Sequence, residues 1–229
     1  MKNILLNLCL VGATALLSQG ASITVADPSF ETNFGGDMAS GGWSNNLSPD
    51  WEERGGVDNG DAFEEFIPGF SAEGTDHVGV NLGGYIWQDT GVALQPNTTY
   101  TLSLAAGNRA GQSNVGNVTT YSILAGATNL GVATYATAAD VVADNGLTLA
   151  TQTVNATTLA AEGTFADAPS LVFTTGAVVP AENVVIFLGA DGVGRSHFDN
   201  IRLDASPVPE PSTSLLGVLA GLALLRRRR

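Results

Sequence analysis

The amino-acid sequence predicts an all-β protein built as a two-sheet antiparallel sandwich. Between residues 22 and 206 the chain is rich in Gly, Thr, Val, Ala and Asn and poor in Lys and Glu. Such a composition favours strands joined by turns over long helices. Nine short segments have strand character, and no stretch of ten residues outside the termini has a convincing helical pattern. About nine strands without helices to cover them bury their apolar faces by packing two sheets together.

Turn signals separate nearly all of the nine candidate strands, which are residues 23–26, 77–82, 85–89, 99–106, 119–125, 147–155, 170–175, 183–188 and 197–204. Residues 100–105 alternate apolar and polar side chains, so one face of that strand is expected in the core. Residues 184–188 are apolar on both faces, which predicts a central strand. Residues 51–75 and 136–146 are interpreted as long loops, the second with a helical turn at 138–142.

The first twenty residues are typical of a secretory signal peptide, which predicts export by the general secretion machinery and cleavage by signal peptidase. Lys2 precedes an apolar run at 4–17, and small residues follow, with cleavage expected after Gly20. The alternative is a buried N-terminal helix. The single cysteine, Cys9, lies in the apolar run and would leave with the signal. A core, or a metal ion, must then hold the mature protein together without disulfides.

The charge of the central region excludes two classes of partner. Residues 22–206 carry 21 acidic side chains against four arginines, a net charge of −17. Nucleic acid and anionic lipid would both be repelled by such a surface. The length fits one domain, so the predicted organisation is a signal at 1–20, a folded domain at 21–206 and a separate C-terminal segment at 207–229.

The C-terminal segment contains a proline-rich linker, an apolar run at 215–225 and a terminal arginine cluster. As a helix, residues 212–225 would span roughly 21 Å, which is short of the ~30 Å hydrocarbon core. This order resembles the PEP-CTERM sorting signal. The matching residues are Pro209, Glu210, Pro211, Arg226, Arg227, Arg228 and Arg229. The resemblance implies an exosortase partner, a transient anchor in the inner membrane through the short transmembrane helix, and final delivery to the cell surface or extracellular matrix of a Gram-negative-type bacterium. The alternative is an ordinary membrane anchor.

The folded domain resembles the galactose-binding-like jelly roll of many carbohydrate-binding modules. Residues 27–31 read Asp-Pro-Ser-Phe-Glu and residues 198–203 read Phe-Asp-Asn-Ile-Arg-Leu, in the order of that family's opening and closing strands. The resemblance implies that these strands are adjacent and that one structural calcium ion (Ca2+) joins Glu31 to Asp199. Calcium tolerates irregular shells of six to eight oxygens. The alternative is that Glu31 caps a turn and Asp199 is solvated.

Sugar binding requires an exposed aromatic face flanked by groups that hydrogen-bond hydroxyls. The candidate ligand-binding residues are Trp51, Arg54, Tyr85, Trp87, Asn108 and Arg109. Trp51 stands among charged residues and is expected to be the exposed ring. Trp43 and Trp87 are more easily read as core or sheet-packing residues.

Catalysis finds little support in the sequence. His77 and His197 lie inside strand patterns, and no nucleophile elbow, His-Glu-x-x-His pair or phosphate-binding glycine loop is present. Strand alternation turns Ser196 away from His197 and Asp199, which argues against a triad. Carboxylate pairs such as 52/53 and 64/65 are too common here to be informative. We therefore expect a non-catalytic protein that binds exopolysaccharide or is purely structural, with a secreted glycan-active hydrolase as the alternative.

Overall fold

The structure is a computed structural model, and it describes residues 20–32, 41–54, 61–111, 117–132, 135–143, 147–192 and 194–208. Over these residues the chain forms two antiparallel sheets with two short helices, so the predicted all-β jelly-roll sandwich is confirmed. Nearly all of the predicted signal peptide and C-terminal sorting segment, with its seven motif residues, lies outside the described residues.

One sheet has eight strands and the other has five. The strands of the eight-stranded sheet are β1 (Ala21–Ile23), β2 (Trp43–Ser44), β4 (Ala62–Phe66), β5 (Asp76–Val80), β7 (Thr98–Asn108), β10 (Thr164–Asp167), β11 (Leu171–Thr174) and β13 (Ser196–Pro207). The strands of the five-stranded sheet are β3 (Glu52–Glu53), β6 (Tyr85–Ala93), β8 (Asn117–Ala125), β9 (Thr148–Asn155) and β12 (Asn183–Gly192). The helices are α1 (Ala138–Ala143) and α2 (Ala156–Leu159), and a 3₁₀ turn spans Leu130–Val132.

The long strands β7 and β13 form the middle of the eight-stranded sheet, in the order β10-β7-β13-β5-β4-β2. Strand β1 pairs with β13, and after β1 the Pro28 carbonyl accepts the Ile201 N–H of β13, so the opening segment 27–31 and the closing strand are adjacent as the resemblance implied. The β7–β13 register shifts between Asp199 and Arg202, where Asn200 takes a φ of 52°. This bulge accommodates an extra residue and re-aims the side chains beside it.

The main core lies between the two sheets. Alternate residues of β7, Tyr100, Leu102 and Leu104, are buried there, as their period of two predicted. Strand β12 is central in its sheet, between β6 and β8, which confirms the prediction from its continuous apolar run. Its two faces serve two cores, because Ile186 belongs to the main core and Phe187 to a second cluster.

The second cluster covers the outer face of the five-stranded sheet. Tyr85 and Trp87 of β6 pack there against Phe187, and α1 contributes Ala138 and Val141. The helical turn expected at 138–142 is therefore present and has a packing role.

The interpretation of residues 51–75 as one long loop is wrong. That stretch contains β3 and β4, and β4 pairs with β5 over five residues. The sequence disguised β4 because it reads Ala-Phe-Glu-Glu-Phe, with two adjacent glutamates that are both buried in the fold. A strand with carboxylates on both faces has no apolar alternation to reveal it.

Candidate active site

The outer face of the eight-stranded sheet carries a histidine whose register partners on both neighbouring strands are glycines. His197 on β13 lies opposite Gly79 on β5 and opposite Gly107 on β7. A Cβ atom at Gly79 would lie 2.2 Å from Cζ of Phe63, and one at Gly107 would lie 2.7 Å from Cζ of Phe165. The two glycines therefore leave the space that these aromatic rings occupy against the sheet.

Two further polar side chains complete a cluster with His197. Glu65 on β4 and His77 on β5 are register partners, and His77 lies two residues before Gly79 on the same face. Nε2 of His77 is 3.7 Å from Oε2 of Glu65, and the two imidazole centroids are 5.3 Å apart. One ligand atom from each residue lies within 4.8 Å of the others, so the three side chains form a group that could hold a metal ion.

Most of the polar side-chain atoms of this cluster are buried without a hydrogen-bond partner. Glu65 is 5% exposed, and both histidines are fully buried. Oε1 of Glu65 accepts a hydrogen bond from a guanidinium nitrogen of Arg109 at 2.6 Å. Its Oε2 and all four imidazole nitrogens have no hydrogen-bond partner in the described part of the chain. Buried polar atoms are normally paired, so five unpaired atoms in one place mark a functional cluster.

Burial lowers the pKa of His197 well below its usual value, and His77, Arg109 and Arg195 add to the effect. The His197 imidazole is therefore neutral at ordinary pH and offers a nitrogen lone pair.

Aromatic rings enclose the histidines. The Phe70 ring meets His77 edge-on at 4.9 Å between centroids and His197 at 5.5 Å. Phe165 lies 5.4 Å from His77, and Phe63 lies 6.2 Å from His197. This apolar enclosure lowers the local dielectric constant and so strengthens electrostatic interactions inside the cluster.

A cleft of about 390 Å³ opens beside the cluster, and Glu65 belongs to both. The residues that line the cleft are Trp43, Asn45, Phe63, Glu65, Asn81, Arg109 and Arg195. Trp43 lies at the edge of the cleft and is 62% exposed. The Arg195 guanidinium carbon lies 4.7 Å from the centroid of the Phe63 ring. Two aromatic and five polar or charged side chains therefore give this cleft both apolar surface and hydrogen-bonding groups, as a small-molecule site requires.

Of the six residues predicted to bind ligand, the cleft contains only Arg109. The expectation that Trp51 is an exposed ring is wrong: it is 3% exposed, packs against Phe30 and donates its indole N–H to the Asp27 carbonyl. Tyr85 and Trp87 are buried on the other sheet, so neither can stack on a sugar.

The other two predicted ligand-binding residues have structural contacts. Asn108 donates its amide to the Ala160 carbonyl. Arg54 pairs with Asp61 at 2.8 Å and also bonds the Ala136 carbonyl.

The residues predicted to hold calcium both contact the segment 71–76. Oε1 of Glu31 accepts the backbone N–H groups of Thr75 and Asp76, and Oδ2 of Asp199 accepts those of Ala72 and Glu73. Burial raises the pKa of Asp199 to about 6, and the charge of Glu31 contributes. A cation would suit these like charges, but no third His, Cys, Asp or Glu side chain among the described residues joins them. The calcium ion stays a prediction.

No helix in the described ranges is long and apolar enough to cross a membrane. The short transmembrane helix predicted after residue 211 lies outside those ranges.

The family model described as HpiC1-like, HpiC1 cyclase, matches residues 21–204. The chain belongs to this family. No curated protein matches it. A crystal structure of an apo cyclase from Fischerella sp. has a TM-score of 0.59 at 19% identity, covering 83% of this chain and 98% of the cyclase. A cyclase from Fischerella sp. TAU has a TM-score of 0.60 at 18% identity, covering 84% and 100%. A carbohydrate-binding module, TmCBM61 in complex with β-1,4-galactotriose, has a TM-score of 0.45 at 14% identity, covering 80% and 97%.

Membership of this cyclase family corrects the expectation that the chain is not an enzyme. No linear motif reveals the buried cluster, because its three members lie on three different strands and are separated in the sequence.

One signal was available in the sequence. The chain has only two histidines, and each lies in a predicted strand at a position whose side chain shares a face with strand glycines or carboxylates. The alternation argument about Ser196 was right, since its hydroxyl faces the other sheet and contacts Thr119.

Proposed function

We propose that this protein is an enzyme of the cyclase type, which closes a ring in a small unsaturated molecule held in the cleft beside Glu65. Family membership supports the reaction class, because the matching family is described by a cyclase. The observation that carries the assignment to this site is the set of five buried polar atoms of Glu65, His77 and His197 that have no hydrogen-bond partner.

The cleft suits a substrate that has both an apolar part and polar groups, because two aromatic and five polar or charged residues line it. A volume of about 390 Å³ falls in the range of small-molecule sites. Ring closure requires a flexible chain to be held folded with its reacting ends in contact, and binding in a shaped cleft supplies that positioning. Phe63 and Trp43 offer apolar surface for the chain, and aromatic faces also stabilise positive charge that develops on carbon.

The cluster supplies the polar chemistry. The lone pairs of these side chains can accept a proton from the substrate. Alternatively, they can coordinate a metal ion that polarises the substrate. In either case the reacting atom of the substrate lies beside Glu65. Arg109 and Arg195 line the same cleft and would favour a substrate oxygen that carries negative charge.

The experiment is turnover of the substrate of the Fischerella cyclase, together with acyclic analogues, by the full chain, with ring-closed products identified by chromatography and NMR. Glu65→Gln should lower the rate about 10²-fold or more, the usual contribution of one positioned acid or base.

The matched control is Glu64→Gln, which changes the neighbouring residue on the opposite face of β4, where Glu64 accepts the Ser48 N–H. It should keep activity within about threefold. Equal losses in both variants, or a wild-type chain that returns every compound unchanged, would overturn the proposal.

A second candidate is recognition of carbohydrate at the mouth of the cleft. Trp43 is the exposed indole there, and Asn45 and Asn81 lie nearby to hydrogen-bond hydroxyls. Trp43→Ala should weaken retention on an exopolysaccharide column while Trp51→Phe, which changes a buried ring, should not. Equal retention of the wild type and Trp43→Ala would count against this candidate.

We also propose that the chain is exported and sorted to the cell surface by an exosortase. The support is sequence alone, namely the apolar run after Lys2 and the Pro209-Glu210-Pro211 motif with its arginine tail. Intact-mass analysis of protein from the native host should give a mature chain that begins near Ala21 and lacks the four terminal arginines. Recovery of the full C-terminus in surface protein would refute the sorting step.

A further inference from the structure

The cluster of Glu65, His77 and His197 has an unusual electrostatic composition. One ligand atom from each residue, a nitrogen of each imidazole and an oxygen of the carboxylate, lies within 4.8 Å of the other two. Oε2 of Glu65 and the four imidazole nitrogens have no hydrogen-bond partner among the described residues. Burial without partners is unfavourable for such groups. Something outside the protein atoms must therefore meet these lone pairs.

An internal ion pair does not account for the cluster. The His77 Nε2 to Glu65 Oε2 distance of 3.7 Å is too long for a hydrogen bond. Glu65 already has a charged partner, because Arg109 donates to its Oε1 at 2.6 Å. That bond leaves Oε2 turned toward the imidazoles with its lone pairs unused.

The donor set matches a transition metal. Two imidazole nitrogens and one carboxylate oxygen are ligands of Zn²⁺ and its neighbours in the first transition series, whereas Ca²⁺ prefers a shell made of oxygens. A ligating carboxylate is commonly oriented by a second hydrogen bond, and Arg109 gives Glu65 that bond.

The distances are close to those of a bound ion. Ligands at about 2.0–2.1 Å from a tetrahedral Zn²⁺ are roughly 3.4 Å apart. The side chains would therefore close by no more than about 1.4 Å around the ion. The strands that carry them are hydrogen-bonded neighbours, so the backbone already fixes their order in space.

We propose that Glu65, His77 and His197 form a three-ligand binding site for a divalent transition metal ion of the Zn²⁺ type. The remaining coordination position lies on the side of Glu65, which lines the cleft. With Arg109 and Arg195 nearby, the site has excess positive charge, so the fourth ligand is expected to be hydroxide or an anionic oxygen of the substrate. This inference goes beyond the proposed function, since metal binding is measured without turnover.

The test uses the full chain, stripped of metal with a chelator and dialysed. Zn²⁺ is titrated calorimetrically, and Co²⁺ is added separately to read the visible absorption bands of a four-coordinate site. The wild type should bind one ion per chain and show these bands. Glu65→Gln and His197→Asn should each weaken Zn²⁺ binding at least 100-fold, and Arg109→Gln, which removes only the orienting bond, should weaken it about 10- to 100-fold.

Glu64→Gln is again the control, because it removes a neighbouring carboxylate that does not face the cluster, and it should bind as the wild type does. Circular dichroism checks that each variant is folded. If the ligand variants fail to fold, the wild-type Co²⁺ spectrum decides alone. A wild type that binds no Zn²⁺, a Co²⁺ spectrum without imidazole coordination, or unchanged affinity in folded Glu65→Gln would overturn the site and leave an ordered water as the occupant of the cluster.

Discussion

Trp43 on β2 and Trp51, immediately before β3, should respond in opposite ways to truncation. Trp51 is 3% exposed in the main core, stacks at 5.2 Å against Phe30 and donates its indole N–H to the Asp27 carbonyl. Trp43 is 62% exposed at the edge of the cleft. Trp51→Ala removes a buried ring, which typically costs about 3–5 kcal/mol, and also removes the hydrogen bond from its indole N–H to the Asp27 carbonyl, which adds about 1 kcal/mol.

For a domain of this size, each kcal/mol shifts the melting temperature by about 2–4 °C. Trp51→Ala should therefore melt about 8–24 °C below the wild type. The free energy of unfolding of Trp43→Ala should stay within about 0.5 kcal/mol of the wild-type value. Thermal unfolding of the full chain, followed by circular dichroism, measures both. Trp51→Phe keeps most of the packing and should lie between them. If Trp51→Ala melted within 2 °C of the wild type, or if Trp43→Ala lost as much as Trp51→Ala, the placement of the two rings would be refuted.

Three further results are expected from the same melts. Calcium added to chelated protein should raise the melting temperature of the wild type by several degrees but not that of Glu31→Gln/Asp199→Asn; an equal rise in both would remove the calcium prediction. Gly79→Ala places a Cβ atom 2.2 Å from the Phe63 ring, so it should lower the free energy of unfolding by about 1–3 kcal/mol and reduce turnover. An unchanged free energy of unfolding would mean that Phe63 is free to move away. Glu53 is buried, and its Oε2 accepts two backbone N–H groups. Glu53→Ala should therefore lower the free energy of unfolding by about 2–3 kcal/mol. A loss below about 0.5 kcal/mol would contradict these hydrogen bonds.

The strands that could be predicted from the sequence were those with an apolar pattern. All nine predicted segments overlap observed strands, because period-two alternation and the continuous apolar run of β12 are direct consequences of burial on one or both faces. The unpredicted strands are β2, β3, β4 and β10. They are short or carry charge, and their pairing is decided by neighbours that are distant in sequence.

The candidate site was harder to predict for a related reason. The strand register brings Glu65, His77 and His197 together, and this register depends on the long-range pairing of β4, β5 and β13. The local signal around Trp51 pointed the wrong way, since acidic and basic neighbours suggested exposure while its own ring is the part that is buried. In extended chain, the side chains adjacent to a residue point to the opposite face, so charged neighbours do not show that the residue itself is exposed.

The opening and closing segments of the domain also control the site. Asp199 holds the N–H groups of Ala72 and Glu73, and Glu31 holds those of the two residues that begin β5 and precede it. These four bonds fix the segment that carries Phe70 over the two histidines. Loss of either carboxylate would therefore loosen the aromatic cover of the cluster as well as the fold. The two carboxylates predicted to bind calcium therefore also hold the segment that follows Phe70. Substitutions at Glu31 should loosen the Phe70 cover of the histidines before they unfold the chain.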